Sequence, residues 1–199
     1  MAKPVILFTG SFNPPTIAHR QVLERLQQQL PDIPIVVLPA ARTVHKDPAS
    51  LAPFDDRMAM ARLMANGLRG VTVSDIAATV PSAETAPLLS ALRTQVGNSH
   101  TILAMGADVF ATLPQWQDWQ TLAANNSFYV LARHPDAIDG FTMPTPQVES
   151  AAALINQSCW YGDAEFVATA SASAVRAGTG ADYLTADVCE YISMCGLYR

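Results

Sequence analysis

Near the start of the chain, the string Thr9-Gly10-Ser11-Phe12-Asn13-Pro14-Pro15-Thr16-Ile17-Ala18-His19 combines residue types and spacings suited to holding an anion. It follows a short apolar run, Val5-Ile6-Leu7-Phe8, and precedes a stretch of helical period, so it joins a first strand to a first helix. Gly10 lets backbone approach a ligand closely, and Pro14 with Pro15 stiffens the turn. Thr16 and His19, three apart, share a face of the first helical turn. Unpaired N–H groups at a helix start favour negative charge, and an imidazole beside a hydroxyl adds donors for phosphate oxygens. Taken singly, His19 reads as an ordinary structural histidine, and Asn13 and Thr16 as a turn and a cap. The combined string is far more specific than its parts.

Three further groups carry chemistry. Ser171 and Ser173 precede Val175-Arg176 at an expected helix start, where hydroxyls, N–H groups and a planar guanidinium can hold phosphates. A solvated arginine above a serine-rich cap is the plainer alternative. Asp108 follows Gly106 at the end of an expected strand and could accept from ribose hydroxyls, or simply cap a helix. Trp116 and Trp119 flank Gln117-Asp118; a tryptophan face suits stacking on an electron-poor ring, whereas core packing is its commoner fate. Trp116 is the expected ring partner and Trp119 the core residue.

Short β-branched runs alternate with helical stretches, the pattern of an α/β domain with a mostly parallel sheet. Strands are expected at residues 4–8, 33–38, 71–74, 101–105, 128–131 and 165–168. Helices are expected at 17–30, 55–66, 85–96, 147–157 and 185–195, the last with Thr185 as N-cap and Gly196 past its end. Residues 40–53 and 133–146 read as irregular. Neither a repeat nor a linker divides the chain, so one domain over residues 1–199 is expected.

Composition narrows the function. With 199 residues, half of them hydrophobic and 15% charged, the chain can bury a substantial core. A net charge of -5 and only two lysines, Lys3 and Lys46, argue against nucleic acid as a partner. No apolar run reaches the roughly 20 residues of a membrane helix, and no secretory leader is expected, which points to the cytoplasm. Cys159, Cys189 and Cys195 lack metal-site or redox spacing and read as ordinary thiols. Gly-Lys of a Walker loop, a complete dinucleotide fingerprint, a G-x-S-x-G elbow and HExxH are all absent from the sequence.

The first string resembles the signature of the nucleotidyltransferase superfamily with an (H/T)-x-x-H helix start, and especially its nicotinate/nicotinamide mononucleotide adenylyltransferase family. The likeness runs nearly the whole chain. Pro39 with His45-Lys46 is similar to that family's proline…His-Lys loop, and Arg57-Met58-Ala59-Met60 to its R-x-x-M helix. Val73-Ser74-Asp75, Thr85 and Leu89 to Arg93 resemble its third strand and following helix. Gly106-Ala107-Asp108 with Trp116 and Trp119 resembles its G-x-D…W element. Arg133 falls where the family has an arginine after a strand, Ser171 to Arg176 resembles its phosphate motif, and Val188 through Tyr191-Ile192 to Leu197-Tyr198 fits its end. Thr9, Thr16, Ala18 and Ala172 depart from the common bacterial pattern; Thr16 is an accepted variant.

This resemblance implies a Rossmann-like fold: a mostly parallel five- to six-stranded sheet, helices on both faces and a small C-terminal helical part. It implies adenylyl transfer from ATP to nicotinate or nicotinamide mononucleotide, with release of pyrophosphate, in NAD biosynthesis. The nucleophile is a phosphate that is already anionic, so the protein needs donors and positioning rather than a base. The implied catalytic group is Thr16, His19, Lys46 and Arg176. ATP is expected at Gly10, Ser11, Phe12, His19, Gly106, Asp108, Ser171, Ser173 and Arg176. The pyridine nucleotide is expected at Asn13, Lys46, Thr85, Trp116 and Arg133. Mg2+ is expected on the triphosphate, held by phosphate and water, with no protein ligand set. Transfer to another phosphorylated acceptor such as phosphopantetheine, and a nucleotide-binding regulator without catalysis, are the alternatives. The sequence leaves a homo-oligomer open.

Overall fold

The computed structural model describes residues 4–42, 50–81, 84–97, 100–132, 147–155, 157–166 and 170–198. Six strands form one sheet: β1 Val5–Gly10, β2 Ile35–Pro39, β3 Val71–Val73, β4 Thr101–Gly106, β5 Ser127–Leu131 and β6 Trp160–Asp163. Their spatial order is β3-β2-β1-β4-β5-β6, and every pairing is parallel. Val5 to Phe8 are buried because β1 lies in the middle of the sheet, with a strand on each edge and side-chain layers on both faces.

The pleat sends alternate residues to opposite layers. Ile6 and Phe8 meet Val22, Leu23 and Leu26 of α1 (Ile17–Gln29) and Met60 and Met64 of α2 (Phe54–Ala65). Val5 and Leu7 face the other layer, with Ala77 of α3 (Ile76–Thr79) and Leu89 and Leu92 of α4 (Thr85–Val96). Leu122 of α6 (Trp119–Asn125) joins that second layer, as does Ala107 of α5 (Ala107–Ala111). The expected α/β architecture with helices on both faces is what the chain forms, with six strands, all parallel. Near the end of the chain lie α7 (Ala172–Arg176) and α8 (Ala186–Cys195). These form the small C-terminal helical part, and α8 packs on α2: Val188 enters the first layer and the Tyr191 hydroxyl donates to Asp56 at 2.8 Å. Among the described residues no helix is long and apolar enough to cross a membrane.

Two expected elements differ. Residues 151–155 form a short 3-10 stretch instead of a helix over 147–157. The last described strand is Trp160–Asp163, with residues 164–165 in a turn; residues 167–168 of the expected strand 165–168 lie outside the described residues. Thr185 stands at the N-cap of α8, yet its hydroxyl makes no capping bond and is buried without a partner. Gly196 ends that helix in the left-handed region, φ 64°, as its position suggested.

Strand β6 carries a buried charge. Asp163 is 1% exposed and accepts two bonds from the Arg25 guanidinium of α1, at 2.7 and 3.0 Å, and one from the Tyr129 hydroxyl of β5 at 2.5 Å. Burial opposes its ionisation, but the Arg25 fork and the Tyr129 hydroxyl outweigh it and hold the carboxyl below its usual range. Burial, together with the bond to Asp163, pushes the Tyr129 hydroxyl well above its ordinary value. A depressed carboxylate stabilises the fold above its unfolded pKa and loses that contribution as pH falls through the folded value. Arg25→Met is therefore expected to cost about 2 kcal/mol at neutral pH, less than a fully enclosed pair because Arg25 is part-exposed. It should also move the midpoint of acid unfolding to higher pH. Circular dichroism melts across pH 3–8 check both; an unchanged acid midpoint would show that the pair does not set it.

Candidate active site

The strand order reverses direction at β1 and β4: the chain leaves β1 towards β2 and leaves β4 towards β5. Loops after these neighbours diverge, and in open α/β sheets ligands bind in the resulting crevice beyond the carboxyl ends. A cavity of about 800 Å³ lies there. The loop after β1 forms one wall, Met105, Gly106 and Asp108 another, and Ser171, Ser173 and Arg176 a third.

The first wall is built around a fully buried threonine. Thr16 caps α1, and His19, at the third helical position, turns back on it. The Thr16 amide donates to His19 Nδ1 at 3.0 Å, and the Thr16 hydroxyl lies 2.8 Å from the same nitrogen. A nitrogen that accepts an amide hydrogen carries no proton of its own, so the neutral ring bears its proton on Nε2. The arrangement is a capping box with histidine in the place usually taken by Glu or Gln. Thr16, expected in the catalytic group, is 0% exposed and does not line the cavity; its hydroxyl meets the His19 ring instead. The His19 ring lies 5.1 Å from that of Phe12, which in turn meets Phe8 edge-on at 5.6 Å. No acidic residue occupies the first turn of α1, so its positive end is not offset from within the helix.

Phe12 has φ 47°, a conformation that bulky residues rarely adopt. It is held there by burial, its ring packed beside Gly10. Beneath this loop lies Arg57, 2% exposed. Its guanidinium donates to the carbonyls of Ser11 (2.9 Å), Ala40 (2.7 Å) and Ala52 (3.0 Å), and burial works against its charge. Sequence reading placed Arg57 in a family motif without giving it this role.

Asn13 was expected at the pyridine nucleotide. It reaches the cavity wall, but its side chain is spent within the protein. Nδ2 donates to the Ser50 carbonyl at 2.9 Å, and Oδ1 accepts from the Ala52 amide at 2.9 Å and from the Tyr198 hydroxyl at 2.8 Å. Its carbonyl accepts from Arg176 at 2.7 Å, and a second Arg176 nitrogen donates to Ser173 Oγ at 3.1 Å. The first loop and the late serine-arginine segment, 163 residues apart, are thus joined directly. Ser171 caps α7, accepting from the Ala174 amide at 3.4 Å. Gly180 closes behind: a Cβ there would come within 2.9 Å of the Val175 nitrogen, a contact that only glycine avoids.

On the far wall Gly106 precedes α5 and Asp108 sits in its first turn. Trp116 lines the cavity, its indole N–H donating to Thr112 Oγ1 at 3.0 Å, and it also packs on the second hydrophobic layer, as does Trp119, which does not line the cavity. Thr85 opens α4, half-buried and outside the cavity lining. Lys46 and Arg133, like His45, lie outside the described residues. Gly10, Ser11, Phe12, His19, Gly106, Asp108, Ser171, Ser173 and Arg176, the residues expected at ATP, all line the one cavity. Among the described residues no three His, Cys, Asp or Glu side chains form a metal cage, and Asp108 is the cavity's single acid. That donor set is one a hydrated divalent ion carried on phosphates would fit.

Comparison with known proteins agrees with this geometry. Residues 7–178 match the family model described as cytidylyltransferase-like. The chain is 30% identical to a protein of Acholeplasma laidlawii described as a probable nicotinate-nucleotide adenylyltransferase, over 68% of this chain and 70% of that one. A protein of Gemmatimonas aurantiaca with the same description is 28% identical over 97% of this chain and 91% of its own length. The structure of Plasmodium falciparum nicotinic acid mononucleotide adenylyltransferase complexed with NaAD superposes with a TM-score of 0.71 at 20% identity, over 98% and 97% of the two chains. The all-parallel sheet, the cavity at its switch point and these likenesses together make the chain a member of the cytidylyltransferase-like family, in its nicotinate-nucleotide adenylyltransferase group.

Proposed function

We infer that the protein transfers the adenylyl group of ATP to nicotinate mononucleotide, forming deamido-NAD and pyrophosphate in NAD biosynthesis. The carrying observation is the single cavity in which the start of α1, His19 and the Ser173–Arg176 segment converge. Two relatives described as nicotinate-nucleotide adenylyltransferases favour the acid over the amide as acceptor.

In this reaction the 5′-phosphate of the mononucleotide attacks the α-phosphorus of ATP. The bond from that phosphorus to the bridging oxygen breaks, and pyrophosphate leaves. The attacking oxygen is already anionic, so no residue removes a proton. The protein's task is to hold two polyanions in line and to place donors where charge develops. We assign His19 Nε2–H and the first N–H groups of α1 to the phosphates at the reacting centre, and Ser173 with Arg176 to the distal phosphates. Asp108 is assigned to ribose hydroxyls, and the Trp116 face to the pyridine ring. Mg2+, accompanying ATP, supplies further neutralisation of phosphate charge. Both substrates are water-soluble, and we place the reaction in the cytoplasm.

A pyrophosphate-release assay with ATP, Mg2+ and each mononucleotide in turn tests the reading; silence with both would overturn it. His19→Ala is expected to lower kcat by ~10²–10³, as for loss of a donor at developing charge. Thr16→Val should lower kcat in the native background and change it less than twofold when His19 is already alanine. Equal losses in both backgrounds would give Thr16 a role of its own. Trp116→Ala should raise KM for the mononucleotide about tenfold and that for ATP less than twofold, measured by initial rates; equal changes would return the indole to a packing role.

A further inference from the structure

The Tyr198 hydroxyl lies at the meeting point of three segments. It donates to Asn13 Oδ1 at 2.8 Å, 185 residues away in sequence. Asn13 in turn presents its carbonyl to Arg176, and its side chain bridges to Ser50 and Ala52, where Arg57 also takes the Ala52 carbonyl. Burial pushes the Tyr198 hydroxyl above its ordinary value, and both Arg57 and Arg176 lie near enough to pull it the other way. Tyr198 itself has φ 59°, reached after Gly196 turns the chain back at the end of α8. An off-pattern backbone at a side chain that ends on the loop under the cavity indicates a position fixed by its contacts. Tyr198 does not line the cavity, so it can influence a ligand only through Asn13 and Arg176.

We propose that Tyr198 is a positioning residue for ATP: by holding the Asn13 side chain it fixes the Asn13 carbonyl, and that carbonyl aims the Arg176 guanidinium at the triphosphate. The inference rests on the assignment of Arg176 to ATP phosphates made above. Without the hydroxyl, Asn13 Oδ1 keeps only the Ala52 amide, the loop gains freedom, and Arg176 must be ordered when ATP binds. Preorganisation is lost at the guanidinium and not at the pyridine ring.

Titration calorimetry with ATP and Mg2+ in the native chain, Tyr198→Phe, Arg176→Ala and the double variant tests this. Tyr198→Phe is expected to raise the Kd for ATP about fivefold in the native background, the worth of one hydrogen bond, and less than twofold in Arg176→Ala. An unchanged Kd in Tyr198→Phe, or an equal rise in both backgrounds, overturns the proposal. Melting temperatures run in parallel separate a role confined to stability, which would lower them while leaving Kd alone and would equally count against it. Binding is read without turnover, so a native chain that binds ATP yet releases no pyrophosphate refutes the proposed reaction and leaves this inference to its own result. A native chain that does not bind ATP refutes both.

Discussion

A buried cation under the first loop is the constraint on which the site depends. Arg57 gives its guanidinium to carbonyls from three segments: Ser11 after β1, Ala40 after β2 and Ala52 before α2. Charge in a low-dielectric interior is tolerated only where dipoles replace water, and here the dipoles belong to backbone that would otherwise be irregular. Each carbonyl so engaged is a fixed point. Between the Ser11 and Ala52 anchors, the strained Phe12 and the saturated Asn13 side chain have little freedom, and α1 starts in a defined place.

That fixed start has a chemical consequence. A histidine in the first turn of a helix could present either nitrogen. The Thr16 amide removes the choice by occupying Nδ1, leaving Nε2 as the donor nitrogen beside the uncompensated end of α1. The sheet contributes direction, because its strands all run the same way and every loop that matters emerges at one edge. Arg176 then joins the late segment to the early one through a single carbonyl, so the walls of the cavity are tied and not merely adjacent.

Much of this was legible in the sequence for reasons that can be named. Thr16 and His19 declare their relation by spacing, because three residues on a helix is a contact distance. Trp116 and Trp119, three apart, both pack on the second hydrophobic layer, and Trp116 also reaches the cavity. The sequence is silent where the deciding partner is remote. Asn13 looks like a ligand residue because it stands in a phosphate loop, but its partners lie 37, 39 and 185 positions away. Thr16 looks like a donor to substrate, and only its complete burial shows that the hydroxyl faces inward. The last strand was displaced because Trp160-Tyr161-Gly162-Asp163 has a glycine and an acid where a buried strand usually has neither, and the acid is admitted by Arg25 and Tyr129.

The bond between Tyr198 and Asn13 also bears on how the protein is made. Asn13 is made 185 codons before Tyr198. At ordinary elongation rates the interval is roughly 10–40 s. Throughout it the nascent chain can assemble β1, α1 and their hydrophobic layer while the loop between them still lacks that anchor. The loop under the cavity therefore gains this anchor only after α8 has been made.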